Sequence, residues 1–402
     1  MPSINSTSIP DLSENIKAVS AARSSEASRL LMTVLSSERP ALPSNPWDPA
    51  WYPAKEHVPV TTSTAKEKNK VDNIITLAHG AGGKASHELV EHITSILKDA
   101  NAVSFDDAAT IEPKGRIAFT TDSYVITPVE FAGGNIGRIA VCGTVNDLTT
   151  AGAVPEFISF ALIIEEGLPI ELFDRILTSV RDTALEAGVK IATGDTKVVS
   201  RGCADKIFIN TTGIGFIPDG RNISGANAKV GDAIIVSGSI GDHGMTIMSQ
   251  REGLQFEGDL KSDCAPLNKM IHAVLDECDV HVLRDPTRGG LATTLNELAG
   301  QSHVQMNIDD TKVLIRPCVQ TLCSALGLEA YYVANEGKMI VILPADQAEK
   351  AVSIMRRFEY GKEARIIGHV SDEKPGKVIL TTAYGTTRLL PQMAGDLLPR
   401  IC

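Results

Sequence analysis

Aspartates recur in this sequence beside small and polar residues, at apparent strand ends and turns. They occur at Asp106-Asp107, Asp122, Asn146-Asp147, Asp195 and Asp285. One such residue alone usually caps a helix or forms an Asx turn. Gathered on one face, however, carboxylates supply the oxygen ligands of Mg²⁺, which typically joins one or two of them to the phosphates of a substrate. The set therefore predicts a site for a metal-bound phosphate compound.

A glycine-rich turn, His79 to Gly83, opens a helical pattern that begins near Lys84. It fits the relaxed GxGxxA dinucleotide fingerprint, but the residues that follow contain too few strand formers for the βαβ unit this motif requires. Ala78 and Ala85 occupy the positions where a P-loop needs Gly and Ser or Thr. We therefore expect a strand-to-helix turn whose glycines serve another purpose.

Cys402 is the last residue of the chain. A thiolate is the nucleophilic form of cysteine, and the adjacent C-terminal carboxylate should disfavour a second negative charge. The thiol therefore suits a carrier of an acyl-type group better than an activated attacker. An incidental surface cysteine is the alternative. Cys142 lies in an apolar helical pattern and is expected in the core, whereas His243, beside Gly241 and Gly244, is expected to line the site.

Alternating apolar patterns predict the elements that position these residues. Strands are expected near 116–121, 157–164, 191–193 and 207–216, with helices around 89–97 and 172–184. After a turn at Pro218-Asp219-Gly220, a second mixed series has strands near 233–236, 339–343, 366–370 and 378–380. These patterns predict a domain over 71–224, a second over 225–394 and a flexible tail over 395–402.

Residues 1–70 are rich in serine and proline and contain both tryptophans, Trp47 and Trp51. Because proline blocks helices and central strands, this part is predicted to be a partly disordered N-terminal extension with one short amphipathic helix around Leu30. It could be a loosely packed linker or could dock on a folded surface or partner.

Composition excludes several functional classes. The chain has 402 residues and a formal net charge of −11, which disfavours binding to nucleic acid. No apolar run approaches the roughly 20 residues of a membrane span. Seven cysteines without a CxxC pair make a disulfide framework or zinc site improbable, and we expect a reducing, cytoplasmic setting.

In order along the chain, five motifs resemble the ATP-using superfamily of aminoimidazole ribonucleotide synthetase and selenophosphate synthetase. They are Asp106-Asp107-Ala108-Ala109, Thr121-Asp122-Ser123, Gly133 to Arg138 leading to Asn146-Asp147, Thr193 to Lys197, and Asp285 to Leu291. The resemblance covers about residues 71–402. It implies an α/β (α+β) fold with two mixed domains, a homodimer formed by the N-terminal domains, and ATP near their interface.

The same resemblance implies the cofactor site, which would hold ATP and Mg²⁺. The implied ATP-binding residues are Lys84, Asp106, Asp107, Asp122, Asn146, Asp147, Asp195, Asp285 and Arg288. The implied Mg²⁺ ligands are Asp107, Asp122 and Asp285.

Within the superfamily, Pro399-Arg400-Ile401-Cys402 and His79 to Gly83 are similar to the HypE family of hydrogenase maturation factors, which are carbamoyl dehydratases. The resemblance implies that a carbamoyltransferase, HypF, loads a carbamoyl group on Cys402. ATP-dependent dehydration would then give a thiocyanate, which supplies cyanide to a HypC–HypD complex during NiFe hydrogenase assembly. Glu336 is the implied proton acceptor, and Lys197 would orient or neutralise the developing oxyanion.

Two other functions stay open at this point. One is another ATP-dependent synthetase of the superfamily that acts on a free small substrate, as selenophosphate synthetase does. The other is a nucleotide-sensing scaffold whose tail docks on a maturation partner.

Overall fold

The computed structural model describes residues 74–100, 108–254, 259–393 and 400–402. The predicted N-terminal extension with Trp47 and Trp51, and the Asp106-Asp107 pair, lie outside the described residues. From Asn69 onward the chain forms one compact unit. Among the described residues, no helix combines the length and apolar character that a membrane span requires.

The strands of the first half form a four-stranded sheet in the order β1-β6-β4-β5. In this sheet, β4 and β5 are parallel, and the other neighbours are antiparallel. A two-stranded ribbon, β2 and β3, leads into the helix that begins at Ile136. The bounds are β1 (Arg116–Tyr124), β2 (Glu130–Phe131), β3 (Gly134–Asn135), β4 (Val154–Glu165), β5 (Lys190–Val199) and β6 (Ile207–Ile217).

The second half contains a seven-stranded sheet in the order β13-β12-β9-β11-β7-β10-β8. Within the described part of this second sheet, β12 and β9 are the one parallel pair. The bounds are β7 (Asp232–Val236), β8 (Val282–Arg284), β9 (Gln305–Asp309), β10 (Ile340–Pro344), β11 (Arg365–Ser371), β12 (Lys377–Thr381) and β13 (Thr387–Leu389).

The helices alternate with the strands. Those of the described residues are α1 (Lys84–Leu97), α2 (Ile136–Thr150), α3 (Ile170–Ala187), α4 (Asp242–Arg251), α5 (Asn268–Leu275), α6 (Gly290–Ser302), α7 (Pro317–Leu326) and α8 (Ala348–Met355). The strands and helices predicted within the described residues correspond to observed elements, because their apolar periodicity reflects real burial.

The two sheets are covered differently. Both faces of the second sheet are packed, one against α6 and the other against α5 and α8. In the first sheet, α2 covers one face and is itself buried on nearly all sides, with Cys142 in the core as predicted. The opposite face leaves Ile117 and Phe119 50% and 69% exposed. One broad face of the first sheet therefore has no cover within the described chain.

The core around α2 extends into the second half. It includes residues of α4 and α7, such as Met245 and Leu322, and also Ile401 from the end of the chain. The predicted boundary near residue 225 falls between the last strand of the first sheet and the first strand of the second. The limits of the two domains stay a prediction.

Candidate active site

The C-terminal cysteine lies in a small polar cavity of about 150 Å³. The cavity brings together six of the predicted site residues. They are Asp122, Asp147, Asp285, Arg288, Glu336 and Cys402, and Thr121, Gly143 and Thr287 complete the wall. Ligand pockets for whole small molecules are usually roughly 300–1,000 Å³. The cavity therefore suits the reacting end of a nucleotide and the group carried on Cys402.

The first sheet and α2 supply two of the carboxylates. Side chains alternate along β1, so Thr120 and Asp122 point toward α2, whereas Phe119 points to the uncovered face. On α2, Asp147 accepts a hydrogen bond of 2.8 Å from Thr120 Oγ1. Strand and helix thus hold Asp122 and Asp147 on the same wall.

Asn335 holds the other wall together. Its Nδ2 donates to the carbonyl oxygen of Pro286 over 2.9 Å, and its Oδ1 accepts from the Gly241 N–H over 2.7 Å. The side chain is fully buried. Asn335 therefore ties the Asp285 loop to the segment that carries Glu336.

A buried ion pair and a glycine fix Glu336 further. The Glu336 N–H donates to Asp263 Oδ1 over 3.0 Å, and Lys338 Nζ lies 3.1 Å from Asp263 Oδ2. A Cβ atom at Gly337 would lie 1.7 Å from the carbonyl oxygen of Asp263, so the two backbones can approach only because this residue is glycine.

Three carboxyl groups of the cavity have pKa values above those of free carboxyl groups. Burial and then the Asp147 charge raise the pKa of Asp285 to about 7. Burial also raises the pKa of Asp147, with a further contribution from Asp122. Burial, Cys264 and Asp285 raise the pKa of Glu336 well above its ordinary value. A cation among these groups would relieve their mutual repulsion.

These residues fit a divalent cation held jointly with a phosphate. No cluster of three or more His, Cys, Asp or Glu side chains within the described parts of the chain could hold a metal by itself. Mg²⁺ commonly takes only one or two protein carboxylates and completes its shell with phosphates and water. Glu336 Oε1 is buried and makes no hydrogen bond with any described residue, so it remains available to a ligand.

The last three residues are docked on the body of the molecule. A C-terminal carboxylate oxygen of Cys402 accepts from the Val125 N–H over 3.1 Å, and Arg400 Nη1 lies 3.0 Å from Asp205 Oδ2. The Ile401 side chain is 2% exposed. Cys402 itself is half-buried rather than freely exposed. The sequence leaves the resting position of the tail open, and in the structure residues 400–402 are docked because Ile401 is buried next to the thiol.

Docking also changes the chemistry of the thiol. Burial and then the Glu336 charge raise the pKa of Cys402 to about 12. The C-terminal carboxylate is the opposing charge expected from the sequence, whereas in the cavity Glu336 and Asp122 are the charges that raise the pKa. In this position Cys402 is a poor nucleophile, which agrees with a role as carrier.

Four predicted site residues lie elsewhere. Asp195 and Lys197 line a second cavity of about 420 Å³, which the glycine-rich turn and α1 also border. Lys84 is exposed on α1 and lies 3.4 Å from Glu88. The Asn146 side chain donates to the Ala265 carbonyl oxygen over 3.0 Å and thereby supports the start of α5. Their predicted ATP and catalytic roles stay predictions.

The expectation that the aspartates stand at strand ends and turns is partly wrong. Asp122 and Asp195 lie inside β1 and β5, and Asp147 lies in the last part of α2. Their polar neighbours suggested turns, but the strands continue because cross-strand pairing satisfies the backbone. Asp285 does follow a strand, as predicted.

Sequence reasoning missed Asn335, Asp263 and Lys338. Each acts through a partner far away in the chain, so no local pattern marks it. His243 was predicted to line the site, but it lies behind Ile401, fully buried. Burial lowers the pKa of this imidazole, which keeps it neutral at pH 7.

Two family models match the chain. The AIR synthase related protein N-terminal domain matches residues 105–217, and the AIR synthase related protein C-terminal domain matches residues 229–381. Carbamoyl dehydratase HypE of Rhodobacter capsulatus is 45% identical over 336 residues, which are 82% of this chain and 99% of that protein. The chain belongs to the HypE family. HypE of Escherichia coli K12 is 40% identical over 337 residues, covering 82% of this chain and 100% of that protein.

Solved structures of HypE agree with this assignment. A crystal structure of HypE in complex with ATP has a TM-score of 0.78 and 47% identity, and covers 81% of this chain and 99% of that one. A HypE–HypF complex has a TM-score of 0.67 and 46% identity, with 76% and 99% covered. The predicted superfamily and the two-part α/β fold class are thereby confirmed.

Proposed function

We propose that this chain is an ATP-dependent carbamoyl dehydratase that converts a carbamoyl group on Cys402 into a thiocyanate. The product would supply the cyanide ligand of iron in NiFe hydrogenase maturation. The observation that carries the proposal is the docked Cys402, which shares a cavity with Glu336 and three aspartates. The carbamoyl dehydratases among the relatives support it.

The reaction removes one oxygen and two N–H protons from S–C(O)NH₂ and leaves S–C≡N, with ADP and phosphate as co-products. ATP supplies the phosphoryl group that makes the oxygen a leaving group, and Mg²⁺ neutralises phosphate charge. Asp122 and Asp285 fit the cation, and Arg288 fits the phosphate oxygens. Asp107 is a further proposed Mg²⁺ ligand outside the described residues.

Glu336 is the proposed proton acceptor for the carbamoyl nitrogen. It lines the same cavity as Cys402, and its Oε1 is uncommitted within the described chain. Burial and neighbouring acidic groups raise its pKa, and a bound cation would lower this pKa and leave the carboxylate able to accept a proton. Asn335 and Asp263 keep its backbone in place.

Lys197 is proposed to orient or neutralise the developing oxyanion, within a homodimer. By strand register, Asp195 and Lys197 lie opposite Ala161 and Ile163 on the uncovered face of the first sheet. Ile163 on this face is 45% exposed. Pairing of two such faces would enclose Lys197, whose Nζ now lies 2.5 Å from Asp195 Oδ1 on the surface.

The proposed partners follow from the same chemistry. A HypE–HypF complex has been solved for a relative, so HypF is the proposed carbamoyl donor, and a HypC–HypD complex is the proposed acceptor of cyanide. We place the reaction in the cytoplasm. Residues 1–70, 71–224, 225–394 and 395–402 are the proposed extension, ATP-binding domain, C-terminal domain and carrier tail.

Intact-mass analysis tests the function. After incubation with the carbamoyl donor system, the C-terminal peptide should gain one carbamoyl group, and Mg-ATP should then remove one water from it. Cys402→Ala should abolish both changes, whereas Cys203→Ala, at an exposed cysteine outside the cavity, should abolish neither. A chain that still turns over ATP with a free substrate after loss of Cys402 would instead be a synthetase of the selenophosphate type. ATP binding without turnover would indicate a nucleotide-sensing scaffold.

A further inference from the structure

One buried imidazole contacts the docked tail directly. His243 Nε2 lies 2.8 Å from the carbonyl oxygen of Ile401, and its Nδ1 lies 2.8 Å from Ser262 Oγ. A carbonyl oxygen can only accept, so Nε2 carries the proton and Nδ1 accepts from the Ser262 hydroxyl. Ser262 Oγ in turn accepts from the Cys264 N–H over 3.1 Å. This chain of bonds fixes the tautomer that can hold the tail.

The imidazole is also fixed in position. The Phe131 ring packs against it edge-on, with ring centroids 5.7 Å apart. His243 is the second residue of α4, two positions after Gly241, whose N–H donates to Asn335 Oδ1. Asn335 immediately precedes Glu336. The Gly241–Asn335 hydrogen bond therefore connects the segment that carries His243 to the segment that carries Glu336. This connection sets the distance between the Ile401 carbonyl oxygen and the Glu336 carboxyl group.

The other polar contacts of the tail lie nearer the surface. Arg400 Nε donates to the Val125 carbonyl oxygen over 2.9 Å, and Arg251 donates to the Arg400 carbonyl oxygen. These two bonds hold the part of the tail that precedes Ile401, and the Val125 N–H, which donates to a carboxylate oxygen of Cys402, holds its end. His243 makes the one fully buried side-chain hydrogen bond to the backbone of residues 400–402 within the described structure.

We propose that His243 is a positioning residue that seats the C-terminal cysteine against Glu336 through its bond to the Ile401 carbonyl oxygen. The inference rests on the proposed dehydration, for which it supplies the alignment of the carried group. His243 does not contact the reacting atoms. Its role is to keep the carried carbamoyl nitrogen within reach of Glu336 while the tail is docked.

Thiol labelling tests whether His243 holds the docked tail, and it requires no enzymatic activity. Iodoacetamide should alkylate Cys402 on the order of fivefold faster in His243→Leu than in the parent chain, since one net hydrogen bond is lost from the docked state. His243→Gln should label at nearly the parent rate, because its amide N–H can donate from about the position of Nε2. Cleavage after Lys377 isolates residues 378–402, in which Cys402 is the single cysteine.

An internal reference cysteine and a second variant serve as controls for the labelling experiment. Cys203 is exposed and is recovered in residues 198–206, so its labelling rate should be the same in all variants. Ile401→Ser weakens docking from the side of the tail without altering the folded body, and it should also accelerate labelling of Cys402. Unchanged labelling in His243→Leu or Ile401→Ser, or labelling in His243→Gln as fast as in His243→Leu, would overturn the proposal.

Activity measurements then distinguish docking of the tail from carbamoylation of Cys402 by the donor. In His243→Leu, phosphate release per carbamoylated chain should fall about tenfold, whereas carbamoylation by the donor should proceed at least as fast as in the parent. An equal loss in both steps would count against a positioning role. If the parent chain releases no phosphate, the proposed function fails, and the labelling rates alone decide whether His243 holds the tail.

Discussion

Glu336 combines two properties that bear on its chemistry. It is buried among other acidic groups, which raises its pKa, and its Oε1 makes no hydrogen bond to any described residue. A structural carboxylate in such a place would be paired, because an unpaired buried charge is costly. The arrangement is typical of a functional carboxyl group whose hydrogen-bond partner is supplied by a bound ligand.

The first prediction concerns this side chain. Glu336→Gln preserves its shape but cannot accept a proton, so phosphate release from carbamoylated protein should fall about 10²–10⁴-fold. Loading of Cys402 by the donor should be unchanged, because that step does not use Glu336. Single-turnover phosphate release and the mass of the C-terminal peptide measure the two steps. Full activity in this variant would exclude Glu336 as the acceptor.

The second prediction concerns Asp285 and the pH dependence of stability. Its folded-state pKa is about 7, against about 3.9 for an unfolded chain. The protonated form therefore stabilises the fold below about pH 4, and this contribution is lost as the pH rises toward 7.

Without nucleotide or Mg²⁺, Asp285→Asn should accordingly be more stable than the parent at pH 8, on the order of 2–4 kcal/mol. The difference should shrink toward zero near pH 4.5. Thermal unfolding at both pH values measures it. A variant that is less stable at pH 8 would show that the carboxylate is already compensated by other groups.

At the scale of elements, α2 is the part that connects the site to the core. It carries Asp147 toward the cavity, and Asn146 bonds the backbone before α5 on another side. A helix buried on so many sides needs close contacts with its neighbours. A Cβ atom at Gly137 would lie 2.5 Å from the Ile176 carbonyl oxygen of α3, so the two helices cross with backbones nearly in contact.

The third prediction follows from this crossing. Gly137→Ala should destabilise the fold by about 1–3 kcal/mol, because α2 and α3 must separate. Gly300→Ala is the matched control, since this helical glycine of α6 has open space where a Cβ would stand. It should gain up to about 1 kcal/mol from helix propensity. Urea unfolding measures both, and equal values would contradict the close packing of α2.

At the scale of the whole molecule, the uncovered face of the first sheet is the feature to explain. Phe119 lies opposite Ile214 of β6, and Ile214 lies opposite Phe157 of β4, so one apolar row crosses the sheet. The opposite face of the sheet is packed on α2. A row of this kind, left open in one chain, supports the proposed homodimer.

The fourth prediction tests that dimer. Phe119→Glu places a charge in the centre of the apolar row and should shift the protein from dimer to monomer in sedimentation velocity. Tyr384→Glu is the control, because this residue is 94% exposed in the β12–β13 turn, away from the first sheet. A parent chain that sediments as a monomer, or a Phe119→Glu chain that stays dimeric, would locate the interface elsewhere or exclude it.

The sequence by itself determined the elements, the family and most of the cavity. Apolar periodicity predicted the strands and helices, because burial imposes that spacing on each element separately. Ordered motifs identified the superfamily, and six of the predicted residues meet in one cavity. Such motifs are short continuous segments, so their chemistry can be recognised without knowledge of the tertiary contacts between them.

Only the tertiary structure decided where the end of the chain lies and what holds it there. Asn335, Asp263 and His243 act on residues far away in the sequence, and burial gives Cys402 a pKa of about 12. Periodicity cannot reveal a hydrogen bond between His243 and Ile401, because their 158-residue separation is closed only by packing. The presence of a thiol at Cys402 follows from the sequence, but the position in which it docks depends on the fold.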